Sequence, residues 1–267
     1  MKNFDEAVKQ VLLMFKEQQF PAQLSFTIIR RATEEGSIPS DNWSILNRMI
    51  MLMVGRTSDA RTYKQWQKAE RQVVKGARSF SIIAPITKKS VDPESGEEKL
   101  YLIGFRALPV FPLEMTSGKD VWKCNYKPEM IPVSMKNLIM AVERLGGNVK
   151  WAPMTGLALG FYSTKDKSIT MCSEDFVTLA HETIHFIHDK LDPLKHNDRK
   201  KAEIIAELGA AVLCEMMGEH GFEQQSYEYI RRYCSGKDNK AVLATINEVL
   251  TTVEKIIGII VEEIKNS

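Results

Sequence analysis

The run His181-Glu182-Thr183-Ile184-His185 constrains this chain more than any other feature. It lies in a segment rich in apolar residues, from Phe176 to Ile187, that reads as a helix. A spacing of four places both imidazoles on one helical face, about one turn apart, where they can share a single Zn²⁺ ion. Glu182, between them in sequence, is expected to act as the catalytic base: it takes a proton from an attacking water and does not bind metal. The competing reading is a core helix carrying two exposed histidines.

A zinc hydrolase needs a third protein ligand and one open position. The next predicted helix, Asp198 to Met217, offers Glu203 and Glu207 one turn apart among Ile204, Ile205, Ala206 and Leu208. A carboxylate in such a stretch is costly unless it is paired or metal-bound. Glu207 sits deeper in the apolar run and is the expected third ligand with His181 and His185. Glu203 is expected to accept a hydrogen bond from a ligating histidine, or to pair with Lys200 or Arg199. His188 follows His185 by three residues and is expected to pack beside the ligands, because a fourth protein ligand would close the site. His196 and His220 read as solvated, and Cys214 as a small buried hydrophobe. Tyr162, Tyr227 and Tyr229 are candidates for stabilising an oxyanion.

The 267 residues leave room for two domains, and the 44% hydrophobic and 26% charged fractions exclude a disordered or collagenous chain. Apolar runs such as Ile256 to Val261 fall far short of the ~20 residues of a membrane span. The N-terminal apolar stretch Val11 to Phe15 is too short for a secretory core. Cys124, Cys172, Cys214 and Cys234 form no CxxC pair. A cytoplasmic, α+β protein is the expectation.

The front of the chain reads as four helices between Phe4 and about Arg71. A β-hairpin follows, with strands Phe80–Ile86 and Leu100–Phe111 and a loose tip over Thr87–Lys99. Residues 1–120 are the first expected domain, 121–132 a linker, and 133–267 the second domain. The second opens with a helix from Ser134 to about Leu145 and a strand from Asn148 to Trp151. A hairpin follows, with strands Leu157–Tyr162 and Ser168–Cys172. Helices are expected over Ser173–Lys190, Asp198–Met217, Gln224–Tyr233 and Asp238–Lys265.

Charge divides unevenly between the halves: 18 basic against 14 acidic residues up to Asp120, and 18 against 20 after it. Between Arg56 and Lys89 nine basic residues face only Asp59 and Glu70. A basic segment threaded with Tyr63, Trp66 and Phe80 points to a polyanion with exposed bases, that is, single-stranded DNA. Arg61, Lys64, Trp66, Arg71, Lys75 and Arg78 are the candidate contacts, with core packing the alternative for Trp66.

Several of these segments carry a family likeness. Asn47, Lys64-Gln65-Trp66, Arg71 to Gly76 and Ser81 to Pro85 resemble the single-stranded-DNA-binding domain of ArdC-type antirestriction proteins, and Phe105 to Gly118 looks like its closing strand. The back half resembles their zincin-like metallopeptidase domain, related to the ImmA/IrrE peptidases. That likeness runs through Gly160 to Ser163, the HExxH with His188, Ala206-Glu207, Ser226-Tyr227 and Tyr229-Ile230. It implies a helical and β-hairpin DNA-binding domain followed by a metallopeptidase domain, with His181, His185 and Glu207 as ligands and Glu182 as base. The implied function is protection of the DNA of a mobile element or phage from restriction. An alternative is a regulatory metalloprotease that cleaves a repressor, and another is a DNA-binding protein with a structural metal site. The peptidase substrate is not encoded in these motifs.

Overall fold

A computed structural model describes residues 2–14, 17, 19–33, 38–91, 98–121, 133–153, 159–193, 199–218, 236 and 238–266. They fall into two units, one drawn from residues 1–14, 36–125 and 236–244, the other from 15–35, 126–235 and 245–267. The mixture of helices and strands makes the chain α+β.

The first unit contains helices α1 (Lys2–Met14), α3 (Ile45–Met53) and α4 (Tyr63–Lys68), and strands β1 (Ala60–Arg61), β2 (Arg71–Val73), β3 (Phe80–Val91), β4 (Glu98–Pro112) and β5 (Thr116–Gly118). The long β3–β4 ribbon is its frame, extended by β1 on the other side of β4, and β2 pairs with β5 separately. Ser44 caps α3 and Thr62 caps α4, the latter with Gln65 in a reciprocal capping box. Both strands extend into the expected loose tip, β3 through Thr87 to Val91 and β4 through Glu98 and Lys99. Thr87, Lys88, Lys89 and Ser90 are all exposed, so a strand there shows none of the apolar alternation that a half-buried sheet requires. Residues 113–118 make a short 3-10 turn and the strand β5.

Helix α2 (Phe20–Thr33) departs from the expected boundary. It packs on α7 (Arg199–Met217) and joins the second unit, although it lies within residues 1–120. Phe20, Leu24 and Ile28 form a buried stripe at four-residue intervals. Such a stripe announces that a helix buries one face, but not against which neighbour.

The second unit also holds α5 (Met135–Arg144), capped by Ser134, the strands β6 (Asn148–Trp151), β7 (Gly160–Ser163) and β8 (Ser168–Met171), α6 (Phe176–Leu191), and most of α8 (Asn239–Lys265). Its sheet runs β6-β8-β7, with β6 parallel and β7 antiparallel to the central strand. Ile169 and Met171 on β8 are wholly buried, and so are Leu179, Ala180 and Ile184 on α6. Asp175 caps α6 by accepting from the Thr178 N–H at 2.8 Å. Helices α6 and α7 pack closely because Gly209 faces Ile184: a Cβ there would lie 2.8 Å from the Ile184 side chain. The expected helix over Gln224–Tyr233 and the expected linker from 122 onward lie outside the described residues. No described helix is long and apolar enough to cross a membrane.

Candidate metal centre and nucleic-acid surface

Residues four apart on α6 face residues on α7 across this close helix pair. His181 Nε2 and His185 Nε2 lie 3.1 Å apart. Glu203 Oε2 stands 3.5 Å from the first and 3.6 Å from the second. These three are the described residues that converge as metal donors. Tetrahedral zinc with metal–ligand distances of about 2.0–2.1 Å separates neighbouring donor atoms by about 3.3 Å. The triangle of 3.1, 3.5 and 3.6 Å is therefore of the size one ion spans, and two imidazoles with one carboxylate leave a coordination position for water or substrate.

The two glutamates of α7 stand differently toward these rings. Glu207 Oε1 lies 3.8 Å from Nδ1 of His181, on the ring edge opposite the convergent nitrogens. Glu203, one turn earlier, reaches Nε2 of both histidines. Glu203 thus stands where both rings meet, in position to accept from a histidine as expected.

The electrostatics follow this geometry. Hydrogen bonds from His181 and His185 hold the Glu203 carboxyl far below the usual carboxylate range, against the opposing effect of burial. Burial alone would lower the His181 pKa, but its hydrogen bond to Glu203 and the charges of Glu182, Glu207 and Glu203 carry it above the ordinary value. Glu182 moves up chiefly through burial, partly countered by the two histidines and by a hydrogen bond from the Tyr162 backbone N–H. That bond ties Glu182 to strand β7.

The Tyr162 hydroxyl donates to Asp189 Oδ2 at 2.7 Å, and the Lys167 ammonium binds the same oxygen. Burial, then Asp189, raises the Tyr162 pKa. A hydroxyl committed to a carboxylate anchors its strand and is not free to serve an oxyanion; Tyr227 and Tyr229 lie outside the described residues. Asp189 itself was missed in the sequence, although the signal used for Glu203 and Glu207, a carboxylate in an apolar helix, applies equally to it. His188 is buried but stands apart from the convergent donors, and its Nδ1 has no hydrogen-bond partner among the described residues. Burial, reinforced by His185, pushes its pKa down. Cys214 is buried, as expected of a small hydrophobe, and His196 and His220 are outside the described residues.

The expected DNA contacts separate into two groups. Trp66 is fully buried and its Nε1–H donates to the Phe111 carbonyl at 2.9 Å, so it belongs to the core and offers no face to a base. Arg61 lies 4.6 Å over the Trp66 ring and pairs with buried Asp59 at 2.7 Å. Arg71 binds Thr116 Oγ1 at 2.8 Å, the Thr116 carbonyl at 3.0 Å and the carbonyls of Gly118 and Lys119, stitching β2 to β5. These side chains hold the fold. Lys64, Lys75 and Arg78 instead are exposed and make no ion pair among the described residues, and Tyr63 is half exposed. Arg71→Ala should therefore lower the stability of the chain by about 2 kcal/mol, the scale of hydrogen bonds to a charged group, whereas Lys75→Ala should stay within about 0.5 kcal/mol of the parent. Urea unfolding of the two variants checks both values. Asn47, one of the residues carrying the family likeness, is also structural: its amide pairs with the backbone of Ile83 through two bonds of 2.8 Å.

No protein-family model matches the sequence, and no curated protein does. The solved structures that match the architecture include two of the antirestriction protein ArdC from the R388 plasmid, one metal-free and one with Mn(II) bound. Each superposes with a TM-score of 0.53, is 18% identical, and is matched over 84% of both chains. The chain has the ArdC fold. In it, the helix pair carrying His181, His185 and Glu203 supplies a donor set suited to a divalent metal.

Proposed function

We propose that this chain is an antirestriction-type protein of a mobile element or phage that binds single-stranded DNA through its first unit and carries a zinc-dependent peptidase centre in its second. The observation that carries the reading is the convergence of His181, His185 and Glu203 beside Glu182 within an ArdC fold. The donor set, two imidazoles and one carboxylate, suits zinc. Manganese is bound in the ArdC structure from R388.

A divalent ion held by these three residues supplies Lewis acidity and lowers the pKa of water. Glu182 accepts the proton of the attacking water and passes it to the leaving amine. In the metal-free chain burial raises its carboxyl above the ordinary value. The Glu207 carboxylate, 3.8 Å from Nδ1 of His181, favours the proton on that nitrogen by its charge and so leaves the Nε2 lone pair for a metal ion. Asp189 holds Tyr162 and thereby β7, whose Tyr162 N–H keeps the Glu182 carboxylate in place.

For the first unit the reading rests on exposed cations that make no ion pair among the described residues, beside an exposed ring: Lys64, Lys75 and Arg78 for phosphates and Tyr63 for a base. The whole chain should bind a mixed-sequence single strand more tightly than a duplex. Because each phosphate contact contributes about 0.7 to the salt slope for single strands, Lys75→Ala with Arg78→Ala should flatten that slope by about 1.4. Titration of a labelled oligonucleotide across a salt series measures it. Failure of the parent chain to bind any single strand at ~50 mM salt, where such contacts are strong, sinks the DNA half of the proposal and leaves a regulatory metallopeptidase.

A further inference from the structure

The distal half of the β3–β4 ribbon has two faces with opposite chemistry. Side chains alternate along a strand, and residues directly opposed in register share a face. Lys88 opposes Tyr101, Ile86 opposes Gly104 and Ala84 opposes Arg106. Lys88, Ile86, Tyr101 and Arg106 therefore lie on one face, and all four are exposed, the Tyr101 residue by 45%. No Asp or Glu occupies a described position of that face. Neither Lys88 nor Arg106 makes an ion pair among the described residues.

The reverse face is neutralised, since Lys89 pairs with Glu98 at 3.0 Å. It carries exposed Leu102, opposed to Thr87. Between the two halves of the ribbon the register shifts after Ile86, leaving Ile103 as an extra residue whose carbonyl is capped by the Lys240 ammonium at 3.0 Å. Opposite Ile86 sits Gly104, where an added Cβ would meet nothing but the end of Ile86 at 3.9 Å. The face thus presents a ring and an aliphatic side chain beside a low, open position, with a cation at either end.

We propose that this face of the ribbon is a second contact surface for single-stranded nucleic acid, with a base against Tyr101 and Ile86 and phosphates at Lys88 and Arg106. Unpaired cations alternating with an exposed ring match a strand that offers phosphates and unstacked bases together. A duplex offers only the phosphates. The proposal rests on the single-strand reading above and adds a surface that the basic segment of helix α4 and strand β2 does not include.

The test uses the full chain and a labelled single-stranded oligodeoxynucleotide of mixed sequence at ~50 mM salt, where phosphate contacts are strong. Tyr101→Ala should weaken binding about 5- to 150-fold, the worth of one stacked base, and Tyr101→Phe should retain it. Lys88→Ala with Arg106→Ala should flatten the salt slope by about 1.4. Leu102→Ala, on the reverse face, should change neither. Circular dichroism of each variant confirms an intact fold, which is expected at exposed ribbon positions. A parent chain that binds while Tyr101→Ala binds equally well overturns the ribbon surface alone. Equal losses from Tyr101→Ala and Leu102→Ala overturn the assignment to one face. A parent chain that binds no single strand overturns the reading on which both surfaces depend.

Discussion

The Glu203→Ala chain should purify without its metal, while Glu207→Ala should keep it with affinity lowered only about 10- to 100-fold, the usual cost of removing a group that orients a ligating histidine. The difference follows from position: Glu203 Oε2 lies within 3.6 Å of both convergent nitrogens, whereas Glu207 reaches the far edge of one ring. Elemental analysis after dialysis, then competition with a chromogenic chelator, separates the two outcomes. Full occupancy in Glu203→Ala with loss in Glu207→Ala would return the ligand role to Glu207. His185→Ala should lose the ion in either case.

The same cluster carries a pH signature in the metal-free chain. Glu203 has a depressed pKa, so its contribution to stability is present above the ordinary carboxylate value of 4.5 and is lost as pH falls toward its folded value. His181 has a raised pKa, so its contribution is present in full below the ordinary imidazole value of 6.5 and is lost as pH rises through its folded value. The pair is therefore worth most between these two pH values. The urea midpoints of the parent and of Glu203→Gln should differ most in that window and approach each other on both sides of it. A difference that keeps growing above pH 8 would contradict the pairing.

Glu182→Gln should retain metal and fold yet lose hydrolysis by about 10²- to 10⁴-fold, the contribution of a positioned general base. The amide keeps the shape of the side chain and can still accept from the Tyr162 N–H, but it cannot take a proton. Turnover of a peptide library by the metal-loaded chain and escape from restriction in cells are the two readouts. Loss of both ties protection to peptide hydrolysis. Loss of turnover with full protection would assign protection to DNA binding alone, and unchanged turnover would remove Glu182 from the base role.

Local pattern carried far in this chain. The helices α5, α7 and α8, with the Ser134 cap of α5, lie within a residue or two of where periodicity and capping put them, whereas α6 opens at Phe176 behind Asp175 instead of at Ser173, and β7 covers Gly160–Ser163 instead of Leu157–Tyr162. The pairing of His181 with His185 needed only the pitch of one helix. The β3–β4 ribbon was legible where one face is buried and illegible beyond Ile86, where both faces meet water and apolar alternation has no cause.

What the chain's own sequence determined is thus what neighbours within a turn or a strand set: element type, the Ser134 cap, the two imidazoles on one face, and two carboxylates one turn apart in an apolar helix. Only the tertiary structure decided which surfaces meet. The close approach of α6 and α7 at Gly209 and Ile184 accompanies the convergence of Glu203 with His181 and His185. Burial against Phe111 makes Trp66 a core residue, and the carbonyls of β5 engage Arg71. Packing of α2 on α7 carries a helix from the first 120 residues into the second unit. In each case the deciding partner lies tens of residues away in sequence, and one-dimensional spacing holds no information about a distance that only packing creates.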